Sequence, residues 1–301
     1  MHAHGNARAR DRRLLAVALG LILALMAAET AGGVVAGSLA LLADAGHMLT
    51  DAAALGAALA ASALAGRPAR GPWTFGLGRA EILAAQGNGV ALLLVAVWVV
   101  YSGARRLVSP ASVHGGVVLV VALAGVAVNL AATAVLARAD RESLNVRGAF
   151  LHVATDLAAF LGTAVAGGLI LATGWDRFDP IAGLAVAALM IRSSWTLLRE
   201  SGRIFLEASP ARIDPAAVAQ ALADDDDVVE VHDLHVWTVT DGFPALAAHV
   251  LVSPDVDCHG ARRRLERVLI DRFHLEHTTL QVDHVARRGQ AVSIDPRGTR
   301  R

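Results

Sequence analysis

Two long stretches without a charged side chain constrain this protein most. Residues 82–104 and 115–137 contain no Asp, Glu, Lys or Arg. Each is longer than the ~20 apolar residues with which a helix crosses a ~30 Å hydrocarbon core. Hydrophobic residues make up 55% of the chain and charged ones 18%, a composition that points away from an ordinary soluble enzyme. The chain is therefore predicted to be an integral membrane protein.

Apolar segments of spanning length recur along the first two thirds of the chain. They predict six transmembrane helices, at residues 14–36, 39–65, 81–104, 114–138, 146–174 and 179–198. The first segment also fits a signal peptide, because arginines precede it and "LMAAET" follows with small residues. The apolar segments after it favour a retained helix.

The distribution of arginine predicts the orientation of the six helices. An even number of spans places both termini on the same side of the membrane. The N-terminus and the second and fourth connections carry most of the arginines between the spans, and such connections stay in the cytoplasm. We therefore expect a multi-pass protein of the plasma (inner) membrane with both termini in the cytoplasm.

The composition changes near residue 208, where a second domain is expected. Asp214 caps a predicted helix that has Pro215 in its first turn. Two strands, an amphipathic helix and a third strand follow, which gives an αββαβ, metallochaperone-like α+β fold. The predicted regions are a polar cytoplasmic N-terminus, a six-helix membrane domain, a cytoplasmic regulatory domain and a disordered tail, at residues 1–13, 14–207, 208–286 and 287–301.

The cysteine count limits the chemistry of any metal site. The single cysteine, Cys258, excludes an intramolecular disulfide and a thiolate-rich metal centre. The chain has 12 histidines and a formal net charge of zero, which gives no sign of a nucleic-acid partner. A metal would therefore rely on histidine and carboxylate ligands.

Two predicted spans repeat the same His-x-x-x-Asp spacing. His47 and Asp51 share one face of the second helix, and His152 and Asp156 share one face of the fifth. Ionisable groups inside a membrane are costly and usually functional. Two imidazoles and two carboxylates suit tetrahedral Zn²⁺, and also Cd²⁺ or Co²⁺, better than Mg²⁺ or Ca²⁺. Pairs that only hydrogen-bond to each other are the alternative.

Four motifs resemble the cation diffusion facilitator family, in particular its zinc-transporting branch of cation efflux proteins. They are "SLALLADAGHMLTDAAAL", "GLGRAEILAAQGNG", "SLNVRGAFLHVATD" and "VHDLHVWTV". The resemblance implies that His47, Asp51, His152 and Asp156 bind the transported ion. It also implies a homodimer that exports metal from the cytoplasm in exchange for protons. Histidine chemistry supports the exchange independently, because protons and metal compete for the same nitrogens.

Other ionisable residues have secondary roles in this hypothesis. Asp44 lies one turn before His47 and is assigned to an ion or proton path, with helix capping as the alternative. In the C-terminal domain, the resemblance implies a regulatory metal site with the following residues: His232, His249, His259 and Asp283. Gln281 stands where some members have histidine, so a complete two-metal cluster is not expected. By strand alternation, His235 should face away from His232. Ordinary surface histidines are the alternative.

Three functions remain open from the sequence. A zinc exporter is favoured, with Zn²⁺ as its transported substrate and as a regulatory ligand, and with no organic cofactor. A metal-sensing membrane protein without transport would use the same ligands. An intramembrane metalloenzyme is disfavoured, because four matched ligands leave no open position on zinc and no H-E-x-x-H sequence occurs. The expected partners are divalent metal ions, protons, membrane lipid and a second copy of the chain.

Overall fold

The computed structural model describes residues 23–136, 144–240 and 242–285. The chain divides into two compact units. The helical unit comprises Met1–Ala58 and Ala85–Leu198, and the α+β unit comprises Leu59–Ala84 and Arg199–Arg301. The predicted N-terminal region 1–13 and the predicted tail 287–301 lie outside the described residues.

Six long helices follow one another in the first two thirds of the described chain. They are α1 (Leu23–Ala36), α2 (Leu39–Ala65), α3 (Arg79–Val108), α4 (Gly115–Leu136), α5 (Leu144–Thr173) and α6 (Phe178–Phe205). Four described helices are long and apolar enough to cross a membrane, and two shorter apolar stretches lie in α1 and α4. Large apolar side chains such as Leu94, Val120 and Val165 are exposed on them, as expected where lipid is the solvent. The predicted α-helical membrane protein is confirmed.

Small and branched apolar side chains form the core of the helical unit. Leu39 and Ala43 of α2 pack with Leu92 of α3 and with Val186 and Met190 of α6. A second cluster joins Ala36, Leu41 and Val118, from the end of α1, the start of α2 and the start of α4. Helix α2 therefore packs against α3 and α6 in one cluster and against α1 and α4 in the other.

Glycines allow α4 and α5 to approach closely. A Cβ added at Gly167 of α5 would lie 2.8 Å from the backbone nitrogen of Leu119 in α4. A Cβ at Gly125 of α4 would collide with the ring of Phe160. In membranes, small residues at a helix interface permit the van der Waals contact that stabilises it.

A buried carboxylate fixes the beginning of α2. Asp179 of α6 is fully buried and accepts hydrogen bonds from Ser38 Oγ at 2.5 Å, Leu39 N at 2.7 Å and Ala40 N at 3.3 Å. Arg106 of α3 lies 3.6 Å from the same carboxylate and donates to the carbonyl of Gly37 at 2.5 Å. Asp179 thus satisfies backbone donors that the first turn of a helix leaves unpaired.

The α+β unit has the predicted αββαβ order. Its elements are α7 (Pro215–Ala223), β1 (Val228–Thr240), β2 (Phe243–Val252), α8 (Cys258–Phe273) and β3 (His277–His284). Strand β2 lies between β1, its antiparallel partner, and β3, its parallel partner. Asp214 caps α7, as the sequence predicts, and Asp257 caps α8. The predicted fold class is confirmed.

Both short helices pack on one face of the sheet. Leu222 of α7 and Leu265 and Leu269 of α8 are fully buried against Leu246 and Val250 of β2. Each such leucine contributes about 1.5–3 kcal/mol relative to an exposed position. The opposite face of the sheet carries several of the predicted ligands, together with Ala247 and Leu251 of β2.

An ion pair ties α8 to the segment before β1. Arg264 donates to both carboxylate oxygens of Asp225 at 3.1 Å and also contacts Asp227. The Arg264 guanidinium holds the pKa of the Asp225 carboxyl below its ordinary value.

Candidate metal centres

The first candidate centre begins on one face of α2. His47 and Asp51 lie one turn apart, and His47 Nε2 is 3.7 Å from Asp51 Oδ2. Their side chains are 16% and 31% exposed, so both are partly withdrawn into the helical unit. The spacing of four therefore does bring the two side chains together.

Helix α5 contributes a third predicted ligand. Asp156 of α5 places a carboxylate oxygen 4.0 Å from His47 Nε2, with its side chain 21% exposed. His152 lies one turn earlier in α5, and its side chain is outside the described residues. The structure thus brings three of the four predicted ligands together around one imidazole.

The separations can be compared with those in a zinc site. Zinc bonds of about 2.0–2.2 Å place neighbouring donor atoms of a tetrahedron roughly 3.4 Å apart. The two distances from His47, 3.7 and 4.0 Å, exceed that value by only a few tenths of an ångström. The ligand atoms of His47, Asp51 and Asp156 do not all lie within 4.8 Å of one another in the described part of the chain, so one ion bound to all three would draw the two carboxylates closer together.

Two further acidic side chains are buried in the same helical unit. Asp44 is buried one turn before His47, with 3% of its surface exposed, and Glu29 of α1 is completely buried. The Asp44 carboxyl group interacts electrostatically with those of Glu29, Asp51 and Asp156 and with His47. Asp44 therefore lies beside the predicted ligands, and Glu29 extends the acidic group into α1.

The second candidate centre lies in the α+β unit. His232 Nδ1 and His249 Nδ1 are 3.3 and 3.7 Å from Asp233 Oδ2. His232 of β1 is the direct cross-strand partner of His249 of β2, and their rings meet edge to face at 5.2 Å. Among the described residues, this is the group whose three ligand atoms all lie close enough to share one ion.

Asp233 is a ligand candidate that the sequence analysis missed. Its backbone is in the left-handed region, with φ 49°, and the register of β1 against β2 shifts between His232 and His235. This irregularity brings the Asp233 carboxylate to both histidines. Strict alternation would place Asp233 on the opposite face from His232. The sequence "VHDLH" contains the acid, but no residue pattern in it indicates a bulge in the strand.

Because of the same irregularity, His235 lies on a different face of the sheet from the one predicted. His235 pairs with Ala247, and Ala247 lies two residues from His249 on β2. Residues directly opposite each other share a face, and so do residues two apart. His235 therefore lies on the same face as His232, opposite to the prediction, because the register of β1 shifts between the two residues.

The two remaining predicted ligands of this domain lie outside that group. Gln281 is the β3 neighbour of His249, and Asp283 accepts a hydrogen bond of 2.8 Å from Gln281. Asp283 thus shares the histidine-bearing face, two residues along β3. His259 is exposed at the start of α8, where its backbone N–H donates to the Asp257 cap.

Together, the fold and the first group define a multi-pass membrane protein with histidine and carboxylate side chains clustered inside its spans. The chain belongs to the cation efflux family. Residues 15–206 match the cation efflux transmembrane domain, and residues 210–285 match the cation efflux protein cytoplasmic domain. This confirms the resemblance to the cation diffusion facilitators.

Relatives match along most of the chain. A cadmium, cobalt and zinc/H(+)-K(+) antiporter of Bacillus velezensis is 36% identical over 290 residues, 95% of this chain and 92% of the relative. The zinc transporter ZitB of Escherichia coli is 37% identical over 289 residues, 94% of this chain and 92% of the relative. The solved metal-bound C-terminal domain of the CzcD transporter from Cupriavidus metallidurans is 31% identical and covers 23% of this chain and 97% of that domain, with a TM-score of 0.23.

Proposed function

We propose that this protein is a secondary transporter that exports Zn²⁺ from the cytoplasm in exchange for protons. The observation that carries the proposal is the position of His47 between Asp51 of its own helix and Asp156 of α5. With His152, these residues offer two imidazole and two carboxylate ligands. A filled tetrahedron leaves no place for a water nucleophile, so the arrangement supports transport and not catalysis.

The names of the relatives agree with this proposal. One relative is named as a zinc transporter, and another as an antiporter of cadmium, cobalt and zinc with protons and potassium. The mixed nitrogen and oxygen ligands of the membrane group suit the same three borderline metals. Cd²⁺ and Co²⁺ are therefore proposed as secondary substrates.

Proton exchange follows from the chemistry of the ligands. A histidine nitrogen binds either a proton or a metal ion, so metal binding at neutral or acidic pH displaces protons. If the site opens alternately to each side, metal leaves as protons enter. His47, whose Nε2 lies nearest to both carboxylates, would carry one such proton.

The topology and the assembly complete the proposal. We propose that both termini lie in the cytoplasm of a cell whose plasma (inner) membrane holds the protein, which the arginine-rich connections support. The match to the cytoplasmic domain of cation efflux proteins supports a homodimer joined through the α+β unit.

We further propose that the α+β unit binds a regulatory metal ion. His232, Asp233 and His249 would supply the first ligands. Asp283 lies on the same face of the sheet, and the exposed His259 remains available to complete the shell. Zinc bound there would report the cytoplasmic metal level to the membrane unit.

A metal sensor without transport is the second candidate function. It is favoured by the same observation, a three-ligand group outside the spans. The sensor would bind zinc in both units and move none across the membrane. Flux therefore separates the two functions.

Zinc uptake into inside-out vesicles, with an acidic interior, tests the proposal. The native protein should accumulate Zn²⁺ only while the proton gradient lasts, and Asp51→Asn and Asp156→Asn should abolish accumulation. Asp176→Asn, outside the ligand group, is the control and should transport normally. Equal uptake in all four proteins would contradict the site, and binding without uptake by the native protein would favour the sensor.

A further inference from the structure

The connection between α2 and α3, residues 66–78, carries positive charge that no acid of its own compensates. It contains two arginines and no Asp or Glu. Arg67 and Arg70 are exposed, and neither forms an ion pair within the described part of the chain. Arg79, at the start of α3, differs from them because its guanidinium lies 3.5 Å from the Glu207 carboxylate. The two arginines of the connection are therefore available to an anion from outside the chain.

The same connection exposes two large aromatic side chains. Trp73 is 61% exposed and Phe75 is 59% exposed. Both line a cavity of about 1110 Å³ in the α+β unit, together with the apolar side chains of Leu77, Leu83 and Trp237. Ligand cavities commonly measure about 300–1,000 Å³, so this one has room for far more than a small inorganic anion. An apolar space thus lies beside the basic residues.

Backbone contacts hold the arginines and the aromatic residues in one compact segment. Arg70 and Trp73 form a β-bridge, in which Trp73 N donates to Arg70 O at 3.1 Å. Gly76 N donates to Trp73 O at 3.0 Å, and a Cβ added at Gly76 would lie 3.8 Å from the carbonyl oxygen of Arg67. The connection therefore folds back on itself. Arg67, Arg70, Trp73 and Phe75 form what we call the basic–aromatic patch.

The position of the patch along the chain indicates what it meets. Helices α2 (Leu39–Ala65) and α3 (Arg79–Val108) are both long and apolar enough to cross a membrane. Their connection therefore begins and ends at a membrane surface, and its folded shape keeps it within reach of the lipid headgroups. Tryptophan is enriched at this interface. Arginines close to the surface attract anionic lipids, an effect that disappears beyond a Debye length.

We propose that the basic–aromatic patch is a binding site for an anionic phospholipid. The lipid phosphate contacts Arg67 and Arg70, and the apolar part of the lipid contacts Trp73 and Phe75. A free inorganic phosphate would use the two arginines alone and leave both rings exposed to water, whereas an anionic amphiphile uses all four residues. Lipid binding here involves no candidate zinc ligand and does not depend on zinc transport.

Fluorescence quenching by brominated lipids tests the site directly. The full-length protein would retain Trp73 as its single tryptophan, with the other four replaced by phenylalanine. It is reconstituted in phosphatidylcholine liposomes that contain increasing amounts of brominated phosphatidylglycerol or brominated phosphatidylcholine. We expect the anionic lipid to bind beside Trp73 at least about fivefold more tightly, because one basic residue near an anionic surface contributes roughly that factor.

Two matched double variants show whether the arginines of the patch cause this preference. Arg67→Gln combined with Arg70→Gln should bring the affinities of the two lipids close to equality. Arg267→Gln combined with Arg272→Gln removes the same charge from exposed positions of α8 and should retain the preference. Inorganic phosphate, added at the concentration of the lipid phosphate, should not displace phosphatidylglycerol.

Native mass spectrometry gives a second readout that needs no tryptophan replacement. The protein with all its tryptophans is released from mixed bilayers of phosphatidylglycerol and phosphatidylcholine. We expect it to retain more phosphatidylglycerol than phosphatidylcholine, and the Arg67→Gln, Arg70→Gln variant to lose this excess.

Several results would overturn the inference. Equal quenching of Trp73 by the two lipids, or equal retention of both lipids by the native protein, excludes an anionic-lipid site. A preference that survives in the Arg67→Gln, Arg70→Gln variant shows that the patch does not cause it. Displacement of the lipid by inorganic phosphate would make the patch a site for free phosphate.

Discussion

The imidazole of His47 on α2 lies 4.0 Å from a carboxylate oxygen of Asp156 on α5. This contact joins two helices that are far apart in the sequence, within a unit whose outer surface is apolar. A shared cation would stabilise the contact by neutralising the acids on both helices. The proposed export of zinc depends on this relationship.

Removing the central imidazole should abolish high-affinity zinc binding by the membrane site. His47→Ala deletes the ligand that lies beside both carboxylates. Because changes even in the residues that support a metal ligand cost about 10–100-fold in affinity, loss of the ligand should cost at least ~100-fold. Titration calorimetry of the purified protein measures this. His114→Ala, an exposed histidine before α4, should bind zinc normally, and equal affinities in both variants would refute the assignment.

A methyl group at the α4–α5 contact should destabilise the helical unit. Gly167→Ala would drive its Cβ to within 2.8 Å of the Leu119 backbone nitrogen, which a helix cannot easily move. Overpacking of this kind costs about 1–3 kcal/mol. Gly168→Ala has open space around its Cβ and should be neutral or slightly stabilising.

Thermal loss of the monodisperse peak in size-exclusion chromatography compares the two glycine variants. Gly167→Ala should melt several degrees below Gly168→Ala. The reverse order would mean that α4 and α5 do not pack as described.

Loss of the buried cap at the start of α2 should be more damaging. Asp179→Ala removes the acceptor for Ser38 and Leu39 and leaves Arg106 without its counter-charge. Breaking a buried pair costs about 3–5 kcal/mol. Asp176→Ala removes a single half-buried acceptor on the neighbouring turn and should melt close to the native protein. Similar melting of Asp179→Ala and Asp176→Ala would contradict the role of the cap.

Much of the fold follows from the sequence because lipid imposes simple rules. The uncharged stretches marked the helices to within a few residues, and the predicted segment 39–65 coincides with α2. The αββαβ order followed from periodicity and from caps such as Asp214. In the site, the spacing of four correctly placed His47 beside Asp51.

The parts that sequence reasoning missed depend on contacts between distant elements or on local irregularity. In the sequence, Asp179 is an ordinary acidic residue at the start of α6. Only the folded chain shows that it caps α2. Asp233 joins two histidines because β1 leaves its regular register there, which alternation cannot indicate.

The ion pair on α8 should make the α+β unit sensitive to acid. Because Arg264 lowers the pKa of Asp225 in the folded chain, the pair stabilises the fold above the ordinary carboxyl pKa of 3.8. This contribution disappears as the pH falls through the lowered value. Arg264→Ala should therefore be less stable than the native protein at pH 7, and the difference should shrink by pH 3.

Urea unfolding of the full chain measures this difference through the fluorescence of Trp237, with the other four tryptophans replaced by phenylalanine. Arg263→Ala, whose exposed partner Asp257 is 3.9 Å away, should change little at either pH. If the stability of the native protein exceeded that of Arg264→Ala by as much at pH 3 as at pH 7, the proposed role of the ion pair would be wrong.

Asp233 should contribute to zinc binding by the α+β unit. In a full-length background with Asp51→Asn and Asp156→Asn, the remaining zinc affinity should fall about 10–100-fold with Asp233→Asn. Asp226→Asn, an exposed acid before β1, should have no effect. Titration calorimetry gives both affinities, and identical values would exclude Asp233 as a ligand.

Joint ligation of one ion by α2 and α5 is the central claim, and X-ray absorption at the zinc edge tests it most directly. The full-length protein would carry His232→Ala and His249→Ala, so that only the membrane site is loaded. The account predicts one zinc per chain with about two imidazole nitrogens and two oxygens at roughly 2.0–2.2 Å, and loss of that spectrum in Asp156→Asn. A spectrum of oxygen ligands alone, or one that is unchanged by Asp156→Asn, would show that the two helices do not share the ion.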